Sequence, residues 1–180
     1  SGFLYGLDLV DKYIVSRPEM KILLIGSETL SARVNWQDRN TCILFGDGAG
    51  ASVLSGGGKG SGVVDADLRS DGRLWNLLYM HSPASRNPDL EQNCHDCCYI
   101  QMTGRDVFKH AVKAMEGSVQ ELLRRNGLTI HDIALMIPHQ ANIRILHKLM
   151  ERLGVAEEKV YVNVDKYGNT SAASIPIALD

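Results

Sequence analysis

The sequence lacks a surplus of either charge: 19 Lys and Arg stand against 21 Asp and Glu, a net charge of −2 at pH 7 over 180 residues. That balance argues against a nucleic-acid or polyanion binder and leaves only a local basic face open. Long apolar runs are missing too. No stretch reaches the roughly 20 residues that a membrane-spanning helix needs, and the densest, Lys21-Ile22-Leu23-Leu24-Ile25-Gly26, reads as a buried strand. Cysteine is scarce and clustered. Cys42, Cys94, Cys97 and Cys98 are too few for a disulfide framework in a chain of this size and suit reduced thiols in a cytoplasmic protein. Low-complexity tracts are absent as well. What is present, 44% hydrophobic and 22% charged residues, is the composition of an ordered globular protein with one domain or two small ones. Ser1 to Leu7 already reads as helix interior and Ile175 to Asp180 stops inside an apolar pattern, so the sequence is expected to be a segment of a longer protein.

Apolar spacing predicts a helix over 2–15, ended by Ser16-Arg17-Pro18 because the residue before proline leaves the helical region. Strands are expected at 22–25, 41–45, 51–54 and 62–68, and a long surface excursion over 69–98. The second half is more regular. A helix is predicted over 105–125 and stopped by Asn126-Gly127, then a strand at 133–137 and a helix to Leu153 closed by Gly154. A strand at 160–164 and the start of a last helix follow. This alternation indicates a layered α/β protein with a mixed sheet. Ser1-Gly2 and Ser171-Ala172-Ala173-Ser174 form a weak internal echo, two helix starts built from small residues.

Two motifs invite functional readings that their context weakens. Gly46-Asp47-Gly48-Ala49-Gly50 resembles a phosphate loop, but a dinucleotide fingerprint needs a helix to start there, and Ala51-Ser52-Val53-Leu54 is strand-like. A tight turn with closely approaching backbones fits better. Cys94-His95-Asp96-Cys97-Cys98 offers soft ligands, yet a structural zinc site needs four that converge and no second Cys/His pair stands at a usable spacing. No metal is expected.

Pro138-His139-Gln140-Ala141-Asn142 and Gly168-Asn169-Thr170-Ser171 are more informative. His139 lies where a buried strand gives way to a helix, the place where layered α/β proteins put ligands. A helix N-terminus there disfavours imidazolium and favours a neutral ring that donates one N–H. Asn169 occupies the equivalent place after the next strand. Either residue alone reads equally well as a structural histidine or a turn cap; together, two polar donors at successive crossings resemble a preorganised oxyanion site. Arg144, Lys148 and Arg152 form one stripe on the helix after His139, with Ile143, Leu146, Leu149, Met150 and Leu153 on the other side. That stripe is either a solvated face or a holder for an anionic partner. The other histidines, 81, 95, 110, 131 and 147, sit in predicted surface stretches.

Pro138-His139-Gln140-Ala141-Asn142-Ile143-Arg144 and Tyr167-Gly168-Asn169-Thr170-Ser171-Ala172-Ala173-Ser174 together resemble the β-ketoacyl-acyl-carrier-protein synthase III family. Phe45-Gly46-Asp47-Gly48-Ala49-Gly50-Ala51 and Ser1-Gly2-Phe3-Leu4-Tyr5-Gly6 fit the same family in the same order. The resemblance spans nearly the whole chain and is weakest between 55 and 98. It implies a thiolase-like αβαβα fold of two pseudo-symmetric α/β halves, incomplete here. Residues 1–98 would be the remainder of the N-terminal half with a connecting excursion, and 99–180 most of the C-terminal half.

By the same resemblance, the protein is a cytoplasmic homodimer. It loads a short acyl group, acetyl above all, from acyl-CoA onto a cysteine, then decarboxylates malonyl-acyl-carrier protein and joins the two, starting fatty-acid synthesis. No cofactor or metal is implied; the CoA thioester is a substrate. His139 and Asn169 match two members of a Cys-His-Asn triad whose cysteine would directly precede Ser1; none of the four cysteines present matches that position. Arg39 matches an arginine at the CoA nucleotide. Asn142 and Gly104 match residues near the pantetheine arm, and Leu30, Phe45 and Met102 match the acyl pocket, where a plain core role reads as well. The segment Gln140, Ala141, Asn142, Ile143, Arg144 matches the carrier-protein contact, which Arg144, Lys109 and Lys148 would extend toward an acidic carrier. Other readings stay open: a thiolase-fold condensing enzyme with a non-carrier acceptor, a non-catalytic binding subunit, or a generic CoA-binding protein.

Overall fold

The computed structural model describes residues 2–58, 62–80 and 99–180. Cys94, Cys97, Cys98, His81 and His95 lie outside the described residues, as does the zinc question attached to them. Helix α1 (Gly2–Ser16) buries Phe3 and Val10, two members of its apolar face. Strands β1 (Lys21–Thr29) and β2 (Asp47–Ser55) pair antiparallel along their whole length, with Lys21 opposite Ser55 and Thr29 opposite Asp47.

Side chains alternate across this ribbon, and its two faces differ. One presents Leu24, Gly26 and Glu28 of β1 beside Ser52, Gly50 and Gly48 of β2. The glycines on this face, with Gly6 of α1, let three elements lie close. A Cβ at Gly6 would fall 2.6 Å from Leu24, where α1 crosses, and one at Gly50 would fall 2.8 Å from the Ile177 backbone N. A Cβ at Gly26 would collide with the Ala172 carbonyl. The predicted turn at residues 46–50 is therefore a correction: Gly48 and Gly50 are strand interior, and their missing side chains admit a helix. The opposite face carries Leu23, Ile25 and Val53, which stay 59%, 58% and 71% exposed.

Short strands β3 (Leu78–Tyr79) and β4 (Gln101–Met102) form a second antiparallel pair. Helix α2 (Gly104–Arg125) follows, and Gly127 at φ +64° turns the chain away from it. Helix α3 (Ile143–Leu153) is capped by the Asn142 side chain, which accepts from the Arg144 N–H, and is closed by Gly154 at φ +65°. α3 buries Ile145, Leu146, Leu149 and Met150, whereas Ile143, predicted to face inward, is exposed at the first turn. Leu146, Met150 and Val160 centre a core with Met136, Val155, Val162 and Val164 around it. Full burial of a leucine such as Leu146 stabilises by about 1.5–3 kcal/mol. α4 (Val164–Tyr167), a 3-10 turn (Ser171–Ala173) and α5 (Ser174–Leu179) complete the described chain. The echo of small residues has a structural meaning, because a Cβ at Gly2 would meet the Ala172 Cβ at 3.4 Å.

Four predicted strands are corrected. Residues 41–44 form turns closed by bonds such as Leu44 N–H to the Thr41 carbonyl at 3.0 Å. Residues 62–68 are irregular, held through Asp65, which accepts from the Arg125 guanidinium and from the Asn126 amide at 2.9 Å. Segments 133–137 and 160–164 share one parallel bridge, Met136 to Val160, because two hydrogen bonds join them and no ladder continues.

Candidate functional site

The bridge at Met136 delivers the chain to Pro138 and His139. Met136 N–H donates to the Lys159 carbonyl at 2.8 Å, and Tyr161 N–H returns a bond to the Met136 carbonyl at 2.9 Å. Beyond Pro138 the chain turns toward α3, with Ala141 N–H donating to the His139 carbonyl at 2.9 Å. Asn169 reaches the same place by another route. Gly168, at φ +68° and ψ −162°, takes a conformation that a side chain would strain. Asn169 N–H then donates to the Leu44 carbonyl at 2.8 Å, and its own carbonyl accepts from Gly46 N–H at 3.0 Å, in a parallel bridge beside Phe45. A Cβ at Gly46 would collide with the Tyr167 carbonyl, so glycine is what lets these backbones meet.

The Asn169 side chain is oriented as well as placed. Its Oδ1 accepts from Ser171 N–H at 2.9 Å, and Ser171 holds φ at +48°, a left-handed value for a residue with a side chain. With Oδ1 engaged, Nδ2 remains as the donor, and no hydrogen bond among the described residues occupies it.

His139, Asn169 and Ser171 line one cavity of about 220 Å³ with Leu30, Phe45, Leu78, Tyr79 and Ile100. Burial lowers the His139 pKa from 6.5 to about 4, so the imidazole is neutral at pH 7. The neutrality expected from the sequence holds, and its leading cause is desolvation rather than the helix N-terminus, since α3 begins only at Ile143. A neutral imidazole and a primary amide facing one apolar-walled space can stabilise an oxygen that gains negative charge there.

A second cavity of about 610 Å³ shares Phe45, Leu78 and Asn169 with the first. It is lined by Met102, Gly104, Ala141, Asn142 and Arg144 among the sequence-selected residues, and by Asp38, Asn40 and Arg105. Met102 thus lines this larger space and not the smaller one that Leu30 and Phe45 share with His139. Asn142 spends Oδ1 on the α3 cap, which leaves its Nδ2.

Other expected residues lie elsewhere. Arg39 is exposed and lines neither cavity; its loop is shaped by Asp38, whose carboxylate accepts from Asn40 N–H at 3.0 Å and the Thr41 hydroxyl at 2.8 Å. Lys109 and Ile143 are exposed outside both cavities. The basic stripe is split: Lys148 pairs with Glu151 at 2.7 Å and Arg152 with Glu116 of α2 at 2.7 Å. Arg144 has no ion pair among the described residues. Gln140 is a correction. It is 1% exposed and engaged in internal hydrogen bonds, so its side chain cannot meet a carrier protein.

Leu78, Tyr79, Ile100 and Arg105 belong to the cavity walls although no pattern singled them out, and Ser171 joins them from within the Asn169 motif without having been given a role of its own. Leu78 and Tyr79 lie within the expected surface excursion over 69–98, where they instead form β3 paired with β4, and Ile100 lies just past it; sequence carries no facing information there. Arg105 had one pointer, its place beside Gly104 at the helix start.

Residues 1–72 match the family model of 3-oxoacyl-[acyl-carrier-protein] synthase III, and residues 123–180 match the model of its C-terminal part. A beta-ketoacyl-[acyl-carrier-protein] synthase III from Desulfotalea psychrophila is 52% identical over 180 residues, covering 100% of this chain and 56% of the relative. The crystal structure of 3-oxoacyl-[acyl-carrier-protein] synthase III from Aquifex aeolicus superposes with a TM-score of 0.88 at 45% identity, over 99% of this chain and 54% of that one. The synthase III structure from Thermus thermophilus gives 0.88 at 43% identity, over 99% and 55%. The chain spans about half the length of the curated relatives it matches.

Proposed function

Because the chain belongs to the β-ketoacyl-acyl-carrier-protein synthase III family, with the thiolase-like α/β fold of those enzymes, we propose that the full-length protein condenses a short acyl-CoA with malonyl-acyl-carrier protein. The product would open fatty-acid synthesis. The observation that carries this reading is the convergence of His139 and Asn169 on one cavity, each with a donor to spare.

The chemistry follows from that pair. In the malonyl thioester, the bond from Cα to the carboxylate breaks and carbon dioxide leaves. Its electron pair passes to the thioester, whose oxygen becomes enolate-like. The neutral His139 N–H and the Asn169 Nδ2 donate to that oxygen as its charge grows, each contributing ~3–4 kcal/mol to the transition state. An imidazolium could give its proton away and quench the carbanion, so a low pKa suits the step. The carbanion then attacks the acyl group held on the nucleophilic cysteine that the family places directly before Ser1, a carbon–carbon bond forms, and the thiolate leaves. The 180 residues by themselves are expected to be inactive, since that cysteine is not among them.

The second cavity offers a path for a pantetheine arm, past Asn142 and Gly104, to the donors. Arg144 stands at its wall, and with Lys109 and Lys148 would draw an acidic carrier protein; Arg39 would meet the CoA nucleotide. The reading needs no metal or redox cofactor, and it includes the family's homodimer and a cytoplasmic site of action. Among the described residues no helix is long and apolar enough to cross a membrane.

In the full-length protein, His139→Ala should slow decarboxylation of malonyl-carrier protein by about 10²–10³-fold while leaving much of the acyl transfer to cysteine. Equal loss of both half-reactions would contradict the assigned role. A panel replacing carrier protein with free malonyl-CoA tests the acceptor.

A further inference from the structure

We propose that Gln140 and Ser174 are positioning residues that hold His139 in register with Asn169, a role that rests on the reading of those two as the decarboxylation donors. Gln140 sits inside the protein at 1% exposure, one residue after His139. Its planar amide has every group engaged. Nε2 donates to the Pro138 carbonyl at 3.0 Å and to the Tyr161 carbonyl at 3.0 Å, and Oε1 accepts from Asn163 N–H at 2.9 Å. Three bonds, two from Nε2 and one to Oε1, tie both ends of the amide and oppose its rotation.

The placement of these partners gives the network its direction. The Pro138 carbonyl is one peptide before His139; Tyr161 and Asn163 lie on the segment entering α4, which leads to Asn169. A second tie runs on the far side, where Gln140 N–H donates to Ser174 Oγ at 2.7 Å. Ser174 is the first residue of α5, is 2% exposed, and follows the Asn169 turn. The loop carrying His139 is thus fastened to the chain on both sides of Asn169. An apolar residue would fill the same volume but leave a buried carbonyl, a part-buried carbonyl and a buried N–H unpaired. Stability alone is a poor account of this cluster, because Asn163, 3% exposed, keeps Nδ2 without a hydrogen bond among the described residues.

The test uses the full-length protein and three variants: Gln140→Met, which keeps volume and loses the side-chain bonds; Gln140→Glu, which keeps only the acceptor for Asn163; and Ser174→Ala. Decarboxylation of malonyl-carrier protein should fall about 100-fold in Gln140→Met, the cost of an ångström's misplacement, less in Gln140→Glu, and about tenfold in Ser174→Ala. Acyl transfer to cysteine should stay within a small factor of wild type, with the thermal midpoint measured alongside. Parallel loss of both half-reactions overturns the proposal. So does unimpaired decarboxylation in Ser174→Ala, even where Gln140→Met does not fold. His139→Ala is the separate control for the donor reading. Should that variant decarboxylate normally, titration of the His139 imidazole by NMR still decides the positioning. Burial holds its pKa below the ordinary 6.5, so the imidazole should titrate higher in the Gln140 and Ser174 variants than in wild type, and an unchanged value refutes the role.

Discussion

The floor and the rim of the site are built by opposite means. At the floor, His139, Gln140 and Asn169 are held by bonds between residues far apart in sequence: Gln140 to Tyr161 and Asn163, Asn169 to Leu44 and Gly46. At the rim, Asp38 shapes the Arg39 loop through neighbours two and three positions on, and Asn142 caps its own helix. Arg144 and Lys109 simply project. A group that must be neutral and aimed needs a dry, over-determined setting, whereas a charge that meets a mobile macromolecule works from water. The floor should therefore fail abruptly and the rim by degrees.

The largest effect outside the His139 and Gln140 variants is expected from Gly46→Ala. Its methyl would enter the Tyr167 carbonyl where backbone faces backbone, so neither side can yield by a rotamer change. A loss of about 1–3 kcal/mol in unfolding free energy, read from urea denaturation, should accompany loss of decarboxylation. Gly72→Ala, in open space and without a positive φ, is the matched control for the collision.

Acidification probes the same contrast more gently. His139 binds a proton near pH 4 when folded and near 6.5 when unfolded, so between those values the unfolded chain holds more protons. Stability contributed at this site falls as pH drops from 6.5 to 4, and is restored above 6.5. The difference in urea midpoint between pH 7 and pH 5 should shrink in His139→Gln, which has nothing to protonate. If wild type and variant lose stability alike, burial of His139 is not the cause.

The rim should respond least. Arg144→Glu should raise the KM for malonyl-carrier protein by several-fold to about tenfold, with little change in kcat, and added salt should reduce the gap between variant and wild type. A change confined to kcat would move Arg144 from docking to chemistry.

The two proposed donors are legible in the sequence, because each sits in a motif whose neighbours are equally specific: His139 within Pro138 to Arg144, Asn169 within Tyr167 to Ser174. Helices α1, α2 and α3 are legible from spacing and stop signals, and Gly154 closes α3 where expected. Gln140 misleads for an instructive reason. It stands in the middle of a segment that also carries the exposed Arg144, and contiguity in sequence does not reveal which side chain turns inward. The glycines of β2 read as a turn because only the helix packed against them explains their smallness.

The sequence by itself determined which long helices form, where they stop, and which two side chains could act together, since periodicity, capping and motif chemistry are local properties of the chain. Only the tertiary structure decided that His139 and Asn169 share a cavity, that burial rather than a helix dipole keeps the imidazole neutral, and that Gln140 belongs to the interior. Those facts depend on contacts across the fold, through desolvation and through hydrogen bonds whose partners no sequence interval announces.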